Sequence, residues 1–258
     1  MYKLFAIAKY TIRESIRNKV FYIATLFSVI MFCVAIFLSV LGQEQEKRLL
    51  LDFGYILIEL IVLLTTLYSS ATFLIEEIES KTIYYIFIRN LPRWLYILGR
   101  YLGIVCTALI SVVSMSTVHL LLLVIKGWKF DITPLYVNFS LLLKISVISA
   151  VGLFFAIFSS SPQISFSFTF FFWILGHLSE EIKFVISKII NPITKFSLTT
   201  MYYLLPNFQY FNLRDLITPN EYSQLYILKI VVLGGLYCIF YSSIYLSLAA
   251  VLLSKREV

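Results

Sequence analysis

Charged residues are scarce in this chain of 258 residues: they make up 14% of it, against about 25% in an ordinary soluble domain. Hydrophobic residues make up 60%, where about 45–50% is usual. Long stretches without any charge separate short charged segments. This balance argues against a water-soluble domain and favours a chain whose solvent is the lipid bilayer.

Glycine, histidine and cysteine are also few, and none of them forms a recognisable chemical motif. The nine glycines include no G-x-x-x-x-G-K-[ST] loop, so we expect no nucleotide site of that kind in this chain. His119 and His177 belong to no H-E-x-x-H motif, and G-x-S-x-G is missing as well. Cys33, Cys106 and Cys238 fall inside apolar runs without metal-ligand spacing. We therefore predict no catalytic residue, metal site or bound cofactor in this chain.

The positive charge has a pattern typical of membrane topology. The net charge is +7, but the basic residues are spread over the loops between apolar runs and form no stripe with stacking aromatics. Nucleic acid is therefore not an expected partner. Basic residues that flank membrane spans orient the chain, because they stay on the cytoplasmic side.

Six apolar runs are candidates for membrane spans, each judged against the roughly 20 residues that a crossing requires. The predicted fold class is all-α integral membrane, with residues 1–258 forming a single transmembrane domain. The fifth run is short and is the weakest of the set. The predicted spans are 20–41, 53–75, 95–125, 139–158, 164–177 and 227–253.

The segment before the first span predicts an amphipathic helix over residues 1–19 lying in the membrane interface. Phe5, Ala8, Ile12 and Ile16 share one helical stripe, and basic residues occupy the neighbouring one. A basic flank that only sets topology is the alternative interpretation. We expect the first span to be retained, because a cleavable signal peptide has a shorter apolar core.

With six spans and this distribution of Lys and Arg, we expect both chain ends on the cytoplasmic side. Residues 178–226 then lie outside. This segment is too polar to span and too apolar for a free loop, so we expect it to lie on the membrane. Within it, Asn191 followed by Pro192 ends one helical pattern, and the apolar piece from Phe196 to Leu205 is too short to cross.

A family resemblance is carried by the region between the second and third spans. The motifs there are Glu76-Glu77-Ile78-Glu79-Ser80-Lys81-Thr82, Arg89-Asn90-Leu91-Pro92-Arg93 and Gly99-Arg100-Tyr101-Leu102-Gly103. With these motifs the chain resembles the permease, or transmembrane subunit, of type-2 ABC transporters, and is similar to those of the nitrous-oxide-reductase maturation type. Two departures are Lys81, where the family often has Gly, and Arg100, where it prefers Lys. The stretch Tyr202–Phe208 gives a second, less specific similarity.

The resemblance implies that residues 80–90 form a cytoplasmic coupling helix that docks into a separate ATPase subunit, which binds ATP and Mg. The residues support a short helix, since Ser80 is a good N-cap and Pro92 blocks continuation. The apolar side chains of this helix would fill a groove of the partner; they are Ile83, Tyr84, Ile86, Phe87 and Ile88. Aromatic anchoring of a loop at headgroup level is the alternative. The implied docking residues are Glu77, Glu79, Ser80, Lys81, Thr82, Tyr84, Tyr85, Phe87, Arg89, Pro92 and Arg93.

The function implied is an ATP-driven exporter subunit in the cytoplasmic (inner) membrane, moving a lipid, a peptide or another amphiphile. A single six-span chain cannot enclose a translocation path by itself. The resemblance therefore implies a homodimer, or a pair with a similar permease chain, and the assembly is surrounded by membrane lipid. Two alternatives stay open. The chain could transmit ATPase-driven motion to an extracytoplasmic partner protein without transporting anything, or it could be a membrane-embedded enzyme.

Three ionisable residues fall inside the apolar runs, where each costs about 2.5–3.5 kcal/mol on insertion scales. Glu59, His119 and Lys144 lie at similar predicted depths. A pair between Glu59 and Lys144, with His119 nearby, would offset the desolvation of both charges and line the outer end of a path. A purely structural ion pair, or snorkelling to the interface, is the alternative.

Overall fold

The computed structural model describes residues 2–17, 20–38, 43–88, 91–127, 133–189, 191–213 and 224–255. Within these ranges the chain is helical apart from short turns and contains no strand, which confirms the all-α prediction for them. The helices are α1 (Tyr2–Arg17), α2 (Val20–Leu38), α3 (Gln43–Glu79), α4 (Thr82–Ile88), α5 (Arg93–Ile125), α6 (Thr133–Phe158), α7 (Pro162–His177), α8 (Ser179–Lys188), α9 (Pro192–Leu204) and α10 (Gln224–Lys255), with a 3-10 turn at Phe208–Phe211 between the last two.

Four helices are long and apolar enough to cross a membrane, over Leu49–Glu79, Arg93–Ile125, Pro134–Phe158 and Tyr226–Lys255. They overlap four of the six predicted spans and indicate a membrane protein. The helices at the other two predicted spans are not among these four candidates. The apolar part of α2 is Thr25–Leu38, about 21 Å at 1.5 Å per residue. Helix α7 has 16 residues, about 24 Å, and residues 39–41 lie outside the described ranges.

Helix α6 occupies the centre of the bundle and packs against α3, α5, α7 and α10. Its middle is buried on nearly every side, from Lys144 to Leu153. Close packing there depends on Gly152, because a Cβ at this position would lie 2.3 Å from the Ser70 hydroxyl oxygen. A helix buried all round has no polar face, which explains why α6 shows no amphipathic period in the sequence.

Helix α1 lies along the first half of α5, and the glycine pair of the G-x-x-x-G sequence makes this contact. A Cβ on Gly99 would lie 2.8 Å from the Cβ of Ile7, and one on Gly103 would lie 2.4 Å from the Cβ of Thr11. The missing side chains let the two backbones approach closely. Phe5, from the predicted apolar stripe of α1, is 67% exposed on the opposite side.

The segment after α7 forms two short helices. Asn191 caps α9, since its side-chain oxygen accepts a hydrogen bond of 3.0 Å from the amide of Ile193, and Pro192 is the first helical residue. The helix break predicted at Asn191 and Pro192 is therefore confirmed, and the same two residues begin α9. Most side chains of α9 are exposed, among them Phe196 at 75%.

Candidate functional site: a helical hairpin tip and two charge clusters

The tip between α3 and α5 is built by a sharp reversal at Lys81. Helix α3 continues through Glu79, and the Ser80 amide still donates to the Glu76 carbonyl at 2.9 Å. Lys81 then adopts a positive φ of 57°, the left-handed conformation that favours glycine. Helix α4 begins at Thr82, whose hydroxyl lies 2.8 Å from that of Ser80.

The helix predicted over residues 80–90 begins at Thr82 in the structure, and Ser80 follows the end of α3 instead of capping α4. Residues 89 and 90 lie outside the described ranges. The Ser80 hydroxyl contacts the carbonyl of Glu77 at 3.4 Å. The φ of Lys81 carries a steric cost, because only glycine adopts this conformation freely.

The predicted docking residues divide into an outer and an inner set. Glu77 is 8% exposed and lies inside the molecule, so the structure contradicts a surface position for it. Ile83 is fully buried and Phe87 half-buried, which corrects the expectation that both point into a partner groove. The Tyr84 side chain, Arg89 and Asn90 lie outside what the structure describes. The exposed set is Glu79, Ser80, Lys81, Thr82, Tyr85, Ile88 and Pro92.

Phe87 and Arg93 fix α4 to the rest of the bundle. The Phe87 ring meets Tyr96 edge to face, with ring centroids 5.7 Å apart, and the Arg93 guanidinium lies 5.5 Å from the Phe87 centroid. Arg93 also donates a hydrogen bond to the carbonyl of Leu253 near the end of α10. The half-buried Arg93 therefore connects α4, α5 and α10, and it is not a free surface cation.

A buried charge cluster lies directly behind the tip. The Arg100 side chain is 1% exposed; its Nη1 lies 2.9 Å from Glu14 Oε2 and its Nη2 forms an ion pair with Glu77. Nη1 also donates to the Thr11 hydroxyl at 3.2 Å. The Tyr96 hydroxyl donates to the second oxygen of Glu77. These five side chains, the Arg100 cluster, join α1, the end of α3 and the start of α5.

Aromatic rings surround the guanidinium of the cluster. The centroids of Tyr10, Phe73 and Tyr96 lie 5.3, 5.8 and 5.9 Å from Arg100 Cζ, within the range of cation–π attraction. The negative charge of Glu14 raises the pKa of the Tyr10 phenol. Arginine suits the site because its planar fork reaches two carboxylates with separate nitrogens, whereas a lysine offers a single nitrogen.

The second cluster lies within the apolar part of the bundle. Lys144 forms an ion pair with Oε1 of Glu59, and His177 Nε2 lies 3.5 Å from the same oxygen. Glu59 is about 15 Å along the axis from the first residue of the candidate span Leu49–Glu79. Side-chain exposure is 5% for Lys144 but 26% for Glu59 and 28% for His177. The acid and the imidazole therefore reach the surface of the bundle.

Both ring nitrogens of His177 face oxygen acceptors. Nδ1 lies 3.1 Å from the Trp173 carbonyl, while Nε2 faces Glu59. Sequence reasoning missed His177 because it ends α7, far from Glu59 in the chain. Its only sequence signal is the position at the outer boundary of the fifth predicted span.

His119 does not join this cluster. Its ring fills the space left by Gly54, where a Cβ would lie 2.3 Å from Nε2. Nε2 lies 3.3 Å from the Leu50 carbonyl, and the ring meets Tyr55 edge to face at 5.3 Å between centroids. The predicted group of Glu59, His119 and Lys144 is corrected to Glu59, Lys144 and His177. His119 packs between α3 and α5.

No protein-family model matches this chain, and no curated protein matches it significantly. The likeness to type-2 ABC permeases therefore depends only on the motifs quoted above. Among the residues that the structure describes, no three His, Cys, Asp or Glu side chains lie close enough together to hold a metal ion.

Proposed function

We propose that this chain is the transmembrane subunit of an ATP-driven ABC exporter, with α4 as the helix that docks on a separate ATPase. The observation that carries the proposal is the tip itself. A seven-residue helix projects between two spans, is fixed from behind by Ile83, Phe87 and Arg93, and exposes Tyr85 by 73% and Ile88 by 74%. A helix held this firmly suits a part that receives force from a partner.

In this proposal α2 and α7 are the remaining two of six crossings. The bilayer thins locally or the helices extend to meet it, as short spans require. Both chain ends and α4 face the cytoplasm, following the positive-inside distribution. Helices α8 and α9 lie on the outer surface of the inner membrane. The partner ATPase binds the ATP and Mg.

The proposed subunit works as two copies, and the half-exposed second cluster supports this. The Glu59 carboxylate is 26% exposed and lies about 15 Å along its span. Exposing a charged group to hydrocarbon at this depth is energetically costly. Water or another protein surface is therefore the expected neighbour of Glu59 and His177. A second copy facing α3 and α7 would supply that surface and enclose a path for a lipid, a peptide or another amphiphile.

The test is purification of the tagged chain from its native membrane, with identification of the proteins that accompany it. Tyr85→Asp places a charge on the proposed docking face, and we expect it to abolish co-purification of an ATPase. The matched control is Tyr203→Asp on α9, where the tyrosine is 74% exposed, as exposed as Tyr85. Equal retention of the ATPase by both variants, or a single chain with hydrolytic activity and no ATPase, contradicts the proposal.

A further inference from the structure

A small cavity lies where α1 meets α3 and α5, one helical turn beyond the glycine contacts of α5. Its volume is about 30 Å³. Thr11 of α1 faces Gly103 of α5, so the next step of four residues on both helices brings Ser15 towards Thr107. Both of these residues line the cavity.

Hydroxyl groups from all three helices form most of the wall. Thr66, Thr107 and Ser111 donate their protons to carbonyls one turn back in their own helices, at 2.7, 2.7 and 3.1 Å. Each of these oxygens keeps two lone pairs, which can only accept hydrogen bonds. The hydroxyl-bearing residues of the wall are Ser15, Thr65, Thr66, Tyr68, Ser69, Thr107 and Ser111.

Ser15 differs from these three donors. It is 3% exposed, and its Oγ has no hydrogen-bond partner among the described residues. A buried hydroxyl without a partner costs free energy, and such groups are normally paired with protein or with ordered water. The cavity therefore combines one unused donor with several unused acceptors, and a water molecule satisfies both kinds of group.

The wall favours a neutral occupant. None of the described residues that line the cavity carries a charge, and Thr66 lies about 20 Å along the axis from Glu79, where the candidate span ends. A cation at this depth would have no carboxylate in the wall to compensate its charge. An anion would meet oxygens whose protons are already donated to carbonyls. One water needs about 10–15 Å³, so the volume suits water.

We propose that this cavity, the hydroxyl cavity, binds one or two ordered water molecules that bridge Ser15 of α1 to Thr107 of α5 and Thr66 of α3. The bridge extends the attachment of α1 beyond the Arg100 cluster, in which Thr11 lies one turn before Ser15. The proposal does not depend on the transport function, because it follows from contacts within one chain.

The first measurement is X-ray radiolytic footprinting of the full chain in nanodiscs, in which hydroxyl radicals formed from bound water oxidise the side chains beside it. Phe73 lines the cavity and is 3% exposed, whereas Phe27 is fully buried and is not part of the wall. We expect Phe73 to be oxidised about threefold faster than Phe27, because an ordered water lies beside it. Ser15→Ala with Thr107→Val removes two hydroxyls at nearly unchanged shape. The Phe73 rate should then fall to that of Phe27, since apolar cavities stay dry.

The second measurement is a double-mutant cycle on unfolding in bicelles. Ser15 makes no direct hydrogen bond to Thr107, so a shared water is the group that would couple them. We expect the double variant to raise the unfolding equilibrium constant about threefold less than the product of the two single effects. The control cycle pairs Ser15→Ala with Thr169→Val, a buried threonine of α7 that also donates to its own helix, at 2.8 Å. The control cycle should be additive.

Additive effects in both cycles, or equal oxidation of Phe73 and Phe27 in the wild type, overturn the proposal. Unchanged Phe73 oxidation in the double variant also overturns it, because water would then enter without the hydroxyls. A change in either measurement when sodium or potassium replaces choline in the buffer overturns it as well, since a cation would be the occupant. Where Thr107→Val does not fold, Thr66→Val takes its place in both measurements.

Discussion

Removing the positive charge of the Arg100 cluster should destabilise the protein more than any exposed charge change at the tip. Arg100→Met keeps an unbranched apolar side chain but removes the guanidinium, and Glu77, which is 8% exposed, keeps only the Tyr96 hydroxyl as a partner. Breaking a buried ion pair from one side costs about 3–5 kcal/mol, because the remaining charge stays desolvated. We expect a loss of that size in the free energy of unfolding.

Two further variants test whether the loss of stability comes from a buried carboxylate left without its ion pair or from the change of charge alone. Glu14 is 25% exposed in its side chain, so Glu14→Gln should cost about 1 kcal/mol or less. The double variant Glu77→Gln with Arg100→Met removes both charges of the inner pair. It should recover at least half of the loss, because a neutral replacement of both partners is close to neutral in stability.

The assay is the free energy of unfolding in bicelles, measured by steric trapping so that the bilayer environment is kept. Co-purification of the proposed ATPase partner is measured beside it, since a displaced α4 should also weaken the proposed docking. The reasoning is refuted if Arg100→Met and Glu14→Gln cost the same. It is also refuted if the double variant is less stable than Arg100→Met alone, because the buried carboxylate would then not be the source of the loss.

Three further predictions follow from local geometry. Lys81→Gly should raise the free energy of unfolding by about 1 kcal/mol and Lys81→Val should lower it, because the residue has a positive φ; equal stability of the two contradicts this. Gly103→Leu should force α1 away from α5, since even a Cβ there would lie 2.4 Å from the Thr11 side chain. The yield of disulfide trapping between the two helices should then fall, and an unchanged yield would refute the contact. Glu59→Gln should cost about 3 kcal/mol by removing the carboxylate that pairs with the buried Lys144, and adding Lys144→Met should restore most of it; additive losses in the unfolding assay exclude the pair.

Features that depend on neighbouring residues were predictable from the sequence. Mean hydropathy over a window locates α3, α5, α6 and α10, because a long apolar run has few ways to satisfy its backbone except as a buried or membrane helix. The break at Asn191 and Pro192 is likewise local, since it follows from a cap and a missing amide donor. The short helix was predicted to start at Ser80 but starts at Thr82, because the left-handed conformation of Lys81 has no signature in a lysine side chain.

Features that depend on distant partners were not predictable. Glu77 and Glu79 lie two positions apart in one acidic run, and nothing in the local sequence shows which of them is buried. On a helix their side chains are rotated by about 200° from each other. The bundle decides which one meets Arg100. His177 was missed for a similar reason: its acidic partner is on α3, and only the packing of α7 against α3 brings the two together.

The tip and the Arg100 cluster share one short stretch of chain, and this sharing explains how the tip can be both exposed and rigid. Glu77 points inward and holds α3 to α5 through Arg100, while Glu79, in the last turn before Lys81, is exposed. A push on α4 therefore reaches α5 through Phe87 on Tyr96, and Tyr96 in turn bonds to Glu77. Helix α1 is joined to the same point by Glu14. Motion at α4 would thus displace three helices together and would not be absorbed by one loop.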